Sequence, residues 1–344
     1  VKILLTADPF LPVPPTHYGG VERIVAGLAA NLRRRGHVVG LLAHRQSSAD
    51  TDYRAFWPEA APASIPSHLR NTRALGRAVG DFRPAVVHSY SRLLYLAPHL
   101  PRQMPKIMSY QRPTGGRQTR IAALLGGKSL VFTGCSEFIS AMGRRYGGLW
   151  RAIPNFVDTG FYRFSARVAT NAPLVFLSRI EAIKGAHIAI ETAKRTGRRL
   201  LLAGPHGETG TDGEYWTARI KPQLGKDGIE YVGPVDDQTK LGLLGSAAAL
   251  IVPVQWNEPF GIVFAEALAC GTPVIACPRG AVPEIVRDGR DGFLVQDVEG
   301  ACRAVLDIDR IDRRLCRLRA EQSFSAEAVV PLYESLYASL LDGR

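Results

Sequence analysis

The sequence predicts an α/β protein built from two open, doubly wound parallel sheets that face a shared cleft. Three observations carry this. Short apolar runs alternate with amphipathic stretches along nearly the whole chain, the pattern of successive βα units with short links. The alternation lapses between residues 154 and 173 and then resumes. A length of 344 residues at 46% hydrophobic content suffices for two cores of ordinary size. The expected divisions are 1–163, 164–325 and a helical stretch over 326–344 that packs back toward the first domain.

In the first half, apolar runs predict strands at 2–6, 38–43, 85–88, 106–110 and 130–133. Three- and four-residue apolar spacing predicts helices at 21–35, 69–82 and 136–146, the last begun by Ser136 and Glu137. The second half predicts strands at 174–177, 199–203, 230–232, 249–252, 273–276 and 292–295. Its helices fall at 185–196, 215–224, 238–246, 261–269 and 301–306, with one more over 326–341. Ligands of such sheets lie outside the carboxyl ends of the strands.

Composition removes several classes. No apolar run approaches a membrane span, and an ordinary apolar fraction without long polar tracts excludes disorder. The chain enters a buried-strand pattern at Lys2, so a signal peptide is not expected. Five cysteines without CxxC or zinc spacing read as free thiols in a reducing, cytoplasmic compartment. The net charge of +12 is unevenly spread. Residues 1–165 hold 22 Lys and Arg against 8 Asp and Glu, and the remainder holds 21 against 23. Such asymmetry speaks of partners rather than fold. Nucleic acid is disfavoured, since the cations lack interleaved aromatics or a binding motif.

A nicotinamide site needs G-x-G-x-x-G directly after a strand. Here Ala7-Asp8-Pro9-Phe10-Leu11-Pro12 follows the first strand without a glycine. Gly19 and Gly20 precede a helix and suit a turn whose amides meet a phosphate; a plain loop-to-helix turn accounts for them equally well. Arg179 and Lys184 follow the strand 174–177. Two cations at a strand's carboxyl edge suit a diphosphate, with Arg chelating oxygens and Lys adding a point charge; a solvated pair is the plainer alternative. Glu258-Pro259-Phe260-Gly261-Ile262 then places Glu258 before a helix that contains Glu266. Gly261 and Glu266 are roughly 7–8 Å apart along that helix, so the two carboxylates are too distant to share a proton. Each can instead accept hydroxyl hydrogens, one from a sugar and one from a ribose, while amides near Phe260, Gly261 and Ile262 face phosphates. The alternative is a helix-start charge and a solvated residue, though Glu266 sits among Phe264, Ala265, Ala267 and Leu268.

At these residues the sequence resembles glycosyltransferase family 4, the retaining family of GT-B fold with two Rossmann-like domains. The likeness runs through Tyr18-Gly19-Gly20-Val21-Glu22, Val86-Val87-His88, Cys135-Ser136-Glu137 and Ile153-Pro154-Asn155-Phe156-Val157-Asp158. It continues through Arg179 with Lys184-Gly185, Leu202-Ala203-Gly204, the E-x7-E of Glu258 and Glu266, Cys270-Gly271-Thr272-Pro273-Val274 and Pro283-Glu284. The resemblance implies an acceptor-binding first domain and a nucleotide-sugar-binding second domain. It implies that Arg179 and Lys184 bind the donor diphosphate, Glu258 a sugar hydroxyl and Glu266 the ribose. Gly19 and Gly20 would approach the diphosphate, His88 the donor sugar, and backbone at Val232 and Gly233 the base. Alone, His88 reads as a strand-end histidine. Ser178 stands where the family often has glycine, and Phe156 replaces another; neither change removes a functional group.

The implied enzyme transfers a hexosyl group from a UDP-, GDP- or ADP-sugar to a glycan or lipid-linked acceptor, in polysaccharide or glycolipid assembly. No cofactor is implied beyond the nucleotide sugar as co-substrate. No metal is implied either: Asp50-Thr51-Asp52 and Asp307-Ile308-Asp309 match D-x-D but read as chance, because Arg179 and Lys184 already supply the charge. Alternatives are a soluble small-molecule acceptor and a non-hydrolysing sugar-nucleotide 2-epimerase. Arg33, Arg34, Arg35, Arg70, Arg73, Arg77, Arg112, Arg117 and Arg120 crowd the first half. They suit an anionic membrane face or a phosphate-bearing acceptor, giving a peripheral protein on the inner side of the membrane.

Overall fold

A computed structural model describes residues 1–15 and 19–343. The chain forms two compact units, one of Val1–Asn155 with Ala326–Arg344 and the other of Phe156–Ser325. The first carries strands β1 (Lys2–Thr6), β2 (Val38–Ala43), β3 (Tyr53–Phe56), β4 (Val86–Ser89), β5 (Lys106–Tyr110), β6 (Leu130–Gly134) and β7 (Leu149–Ala152). Between them run helices α1 (Gly20–Arg34), α2 (Ile65–Phe82), α3 (Leu93–Leu96), α4 (Gly116–Gly126) and α5 (Glu137–Arg144). The strands pair in parallel in the order β3-β2-β1-β4-β5-β6-β7. Order reverses between β1 and β4, the switch point of a doubly wound sheet.

The second unit repeats the plan. Its strands are β8 (Leu174–Leu177), β9 (Leu200–Ala203), β10 (Ile229–Gly233), β11 (Ala249–Val252), β12 (Val274–Ala276) and β13 (Gly292–Leu294). They pair in parallel in the order β10-β9-β8-β11-β12-β13. Its helices are α6 (Ala186–Thr196), α7 (Gly210–Tyr215), α8 (Asp237–Ser246), α9 (Ile262–Ala269), α10 (Val282–Ile285), α11 (Val298–Leu306) and α12 (Arg313–Phe324). A last helix, α13 (Ala326–Asp342), belongs to the first unit.

The central strands are apolar and buried on both faces, as helices on each side of a parallel sheet require. Ser136 caps α5, its hydroxyl accepting from the Ile139 amide at 3.2 Å. Where 215–224 reads as one helix, α7 ends at Tyr215 and continues as a π turn over Trp216–Ile220 and a 3-10 turn over Lys221–Gln223. Pro222 lacks the amide that would continue the ladder. Residues 156–163 fall in the second unit rather than the first, because Val157 pairs with Ser325 and the Tyr162 hydroxyl donates to Glu266.

α13 closes the first unit through polar contacts. Glu334 accepts from Arg35 and lies 2.8 Å from His37 Nε2. Tyr337 Oη lies 2.8 Å from His88 Nδ1, Ser109 Oγ lies 2.7 Å from His88 Nε2, and Tyr90 donates to Tyr333 at 3.0 Å. A neutral imidazole, with one N–H and one bare nitrogen, satisfies both hydroxyls. All five cysteines are free, four of them buried. Among the described residues, no helix is long and apolar enough to cross a membrane.

Burial pushes the His88 pKa down to about 3. An unfolded chain binds a proton there below about pH 6.5 while the folded one does not, so His88 removes stability as pH falls from 6.5 toward 3. His99, pushed down to about 4 by burial and then by Arg102 and Lys106, adds to the same loss. In urea unfolding, His88→Asn is expected to shrink the loss between about pH 7.5 and pH 5.5 by roughly 1.4 kcal/mol. An unchanged loss would show that the ring is not held neutral.

Candidate functional site

β8 ends in the loop that carries both cations. Ile180 bonds back to Pro205 and turns the loop, after which a 3-10 turn over Ala182–Lys184 directs Lys184 inward. Gly185 follows at φ 80°, and a Cβ there would stand 2.2 Å from the Pro253 carbonyl oxygen. Only glycine permits that approach between the ends of β8 and β11. Lys184 is buried and donates to Glu258 Oε2 at 2.7 Å. The Trp256 indole donates to the same oxygen at 2.9 Å, and its ring lies 4.6 Å beneath the Lys184 ammonium. Arg179 is more open and pairs with Glu181.

Glu258 is fixed through its backbone, where Ala281 donates to its carbonyl at 2.8 Å. Gly261, at φ 80°, caps α9, and a side chain there would strike the Phe264 ring at 2.5 Å. Phe260 is buried and meets Phe324 edge-on at 5.8 Å. Four residues into α9, Glu266 is 4% exposed. Its Oε1 accepts from Tyr162 at 2.7 Å and from Lys240 at 2.6 Å. The two carboxylates are therefore alike: each has one oxygen held by two donors of its own unit.

α12 secures this helix from behind. Arg317 donates to the carbonyls of Ala269, Tyr162 and Thr159, and Arg313 to Thr272 Oγ1 and the carbonyls of Ser165 and Ala247. A cation at the carboxyl end of α9 satisfies its last carbonyl and suits its dipole. At the end of β10, Val232 is exposed and Gly233, at φ 90°, has open space above it. Nearby His206 stacks on Trp216 at 4.0 Å, and Tyr231 packs 4.7 Å from Trp216 while donating to the Gly204 carbonyl.

The structure thus gathers Lys184 with Glu258, places Arg179, Phe260, Gly261, Ile262, Val232 and Gly233 at or just beyond the carboxyl ends of strands in the second unit, and sets Glu266 within α9 against Tyr162 and Lys240. Trp256, Tyr162 and Lys240 escape sequence reading, since their contacts bridge 2, 104 and 26 positions without a motif. In the first unit, Gly20 opens α1 with free space above it, and a Cβ on Gly19 would strike Pro15 at 2.7 Å; Tyr18 lies outside the described residues. Asp8 and Glu22 stand close by, their carboxyls raised above the usual range, chiefly by burial. His88 departs from its implied role. It is fully buried with both nitrogens engaged inside its own unit, so in this arrangement it meets no ligand. Among the described residues, neither D-x-D pair is joined by a third metal-binding side chain. Asp52 accepts the Val39 amide and both Asp50 and Asp52 pair with Arg33, while Asp307 pairs with Arg310.

The architecture is that of GT-B glycosyltransferases. AviGT4, a glycosyltransferase involved in avilamycin A biosynthesis, aligns at TM-score 0.75 and 25% identity, covering 100% of this chain and 99% of its own. HepE of Anabaena, solved with UDP and glucose, aligns at TM-score 0.73 and 19% identity over 98% of this chain and 99% of its own. Two family models divide the sequence, Glycosyltransferase Family 4 over residues 18–161 and Glycosyl transferases group 1 over residues 172–309. The chain belongs to glycosyltransferase family 4. A D-inositol 3-phosphate glycosyltransferase from Nocardioides sp. is 32% identical over 197 residues, 48% of this chain and 43% of that protein. Its counterpart from Mycolicibacterium paratuberculosis is 37% identical over 139 residues, 39% of this chain and 32% of its own length. The matches span less than half of either relative.

Removing one partner of a buried ion pair strands the other charge, at a cost of roughly 3–5 kcal/mol. Lys184→Met is expected to destabilise the second unit on that scale, and adding Glu258→Gln to recover a substantial part. Urea unfolding of the two single variants and the double variant measures the coupling; additive losses would mean that the pair is not desolvated.

Proposed function

We propose that the protein is a retaining, metal-independent glycosyltransferase that moves a hexosyl group from a nucleotide sugar to an acceptor hydroxyl. The supporting observation is the pair of half-engaged carboxylates, Glu258 beside Lys184 and Glu266 beside Lys240, with Arg179 on the loop that leads from β8 to Lys184. With one oxygen of each held by Lys184 and Trp256 or by Tyr162 and Lys240, the other is left to accept sugar or ribose hydroxyls. Lys184 has three N–H groups and gives one to Glu258, so it retains capacity for a phosphate oxygen. Family membership supports the reaction class. HepE, solved with UDP-glucose, makes a UDP-sugar the first donor to test.

In the proposed step the bond from the anomeric carbon to the diphosphate oxygen breaks, and the acceptor oxygen bonds that carbon on the same face. The acceptor proton passes to the departing phosphate oxygen, and a nucleoside diphosphate leaves. Arg179 and Lys184 neutralise charge that grows as the bond breaks, so they act more on the transition state than on the bound donor. The 22 cations against 8 acids in residues 1–165 favour a phosphate-bearing, lipid-linked acceptor, as in surface polysaccharide or glycolipid assembly in the cytoplasm.

Incubation with UDP-, GDP- and ADP-sugars should release one nucleotide, and the anomeric coupling of the product in NMR should match that of the donor. An inverted product overturns the same-face step. A donor epimerised at C2 without transfer overturns the reaction class. Arg179→Ala should lower kcat by about 10²–10³ while changing the donor KM less. Glu266→Gln should act chiefly on nucleotide affinity, read by calorimetry with the nucleoside diphosphate; unchanged affinity would remove Glu266 from the ribose.

A further inference from the structure

α4 is turned inside out for a helix of a water-soluble domain. Its inward side is made of small residues, with Thr119, Ala122 and Gly126 buried. The close fit is enforced at both ends, where a Cβ on Gly116 would stand 2.4 Å from the Tyr146 ring and one on Gly126 2.5 Å from Leu130. Its large apolar side chains point away: Ile121 is 48% exposed, Leu124 78% and Leu125 51%. Their spacing of three and four residues puts them on one face, and an ordinary amphipathic helix would bury that face.

The rim is basic. Arg117 and Arg120 lie on the turn before Ile121 and Leu124, and Lys128 lies one turn beyond Leu124, all exposed. From Phe82 to Ser136 the chain has no Asp or Glu while it carries eight Lys and Arg. The first acid beyond, Glu137, is paired with Arg144.

We propose that the outer face of α4 docks the protein on an anionic lipid bilayer, with Ile121, Leu124 and Leu125 entering the headgroup boundary and Arg117, Arg120 and Lys128 meeting lipid phosphates. Charge complementarity selects this occupant. A second copy would bring the same cations against themselves. Three side chains are also far short of the roughly 800 Å² per partner that a stable protein interface buries. A bilayer accepts a few apolar side chains ringed by cations. The inference is independent of the donor chemistry.

Co-sedimentation with vesicles tests it. The protein should pellet with mixed phosphatidylglycerol and phosphatidylcholine but not with phosphatidylcholine alone. Binding should fall steeply between about 0.15 M and 1 M salt, as the Debye length drops to about 3 Å. The pair Leu124→Ser and Leu125→Ser should lower the partition coefficient by about tenfold or more, and Arg117→Glu with Arg120→Glu should abolish binding. Both pairs lie on the exposed face, and unchanged thermal melts would show that they fold. Equal retention on both lipids, or none on either, overturns the proposal. So does a loss that follows Arg73→Glu with Arg77→Glu on α2 instead, or a self-association in light scattering that the leucine variants remove.

Discussion

The buried pair of Lys184 and Glu258 is the constraint around which the second unit is arranged. Two charges withdrawn from water hold their places only if geometry and further hydrogen bonds compensate the lost hydration. Here the distance is 2.7 Å, and an indole both donates to the carboxylate and lies under the ammonium. Keeping that geometry fixes the backbone on either side. Gly185 must press against the Pro253 carbonyl, and the carbonyl of Glu258 must accept from Ala281. The loops after β8, β11 and β12 are thereby tied together by one contact of opposite charges.

A second polar frame serves α9. Arg313 and Arg317 spend their donors on carbonyls at the end of that helix and along residues 159–165. The same segment supplies Tyr162 to Glu266. The planar fork of arginine spreads five donors in fixed directions, so one side chain spans carbonyls of separate segments, whereas a lysine holds its three donors at a single point. Thus a glutamate on one helix is oriented by a tyrosine from the segment that enters the unit, and both are anchored by the helix that leaves it.

Much of this was legible in the sequence. The central strands announced themselves as apolar runs, and Arg179, Lys184, Glu258 and Glu266 stood out because charges beside buried strands need a reason. What stayed hidden has physical causes. β3 is an edge strand of four half-exposed residues that follows an acidic loop, and β7 is equally short. α4 gives no inward apolar stripe, and α12 is rich in arginine, whose burial depends on carbonyls that a sequence does not display. Tyr162 and Lys240 meet Glu266 only through space. His88 shows the converse. Its strand position was readable, but a four-residue strand buried on both faces carries no sign of what will cover the ring.

The path of the chain also bears on how the protein is made. Residues 156–325 are an insertion within the first unit, with Val157 donating to the Phe324 carbonyl at 2.8 Å where the segment enters and leaves. During synthesis the inserted unit has all its residues in hand while its host still lacks α13. Domains generally fold as units, the amino-terminal one first; here the unit that begins first is completed second. Until residue 337 has emerged, His88 has no Tyr337, and the apolar seat of α13 stays open to water. Synthesis therefore delivers every residue of the inserted unit before the helix that completes its host, and a chaperone meeting the chain in that interval would find the seat of α13 uncovered.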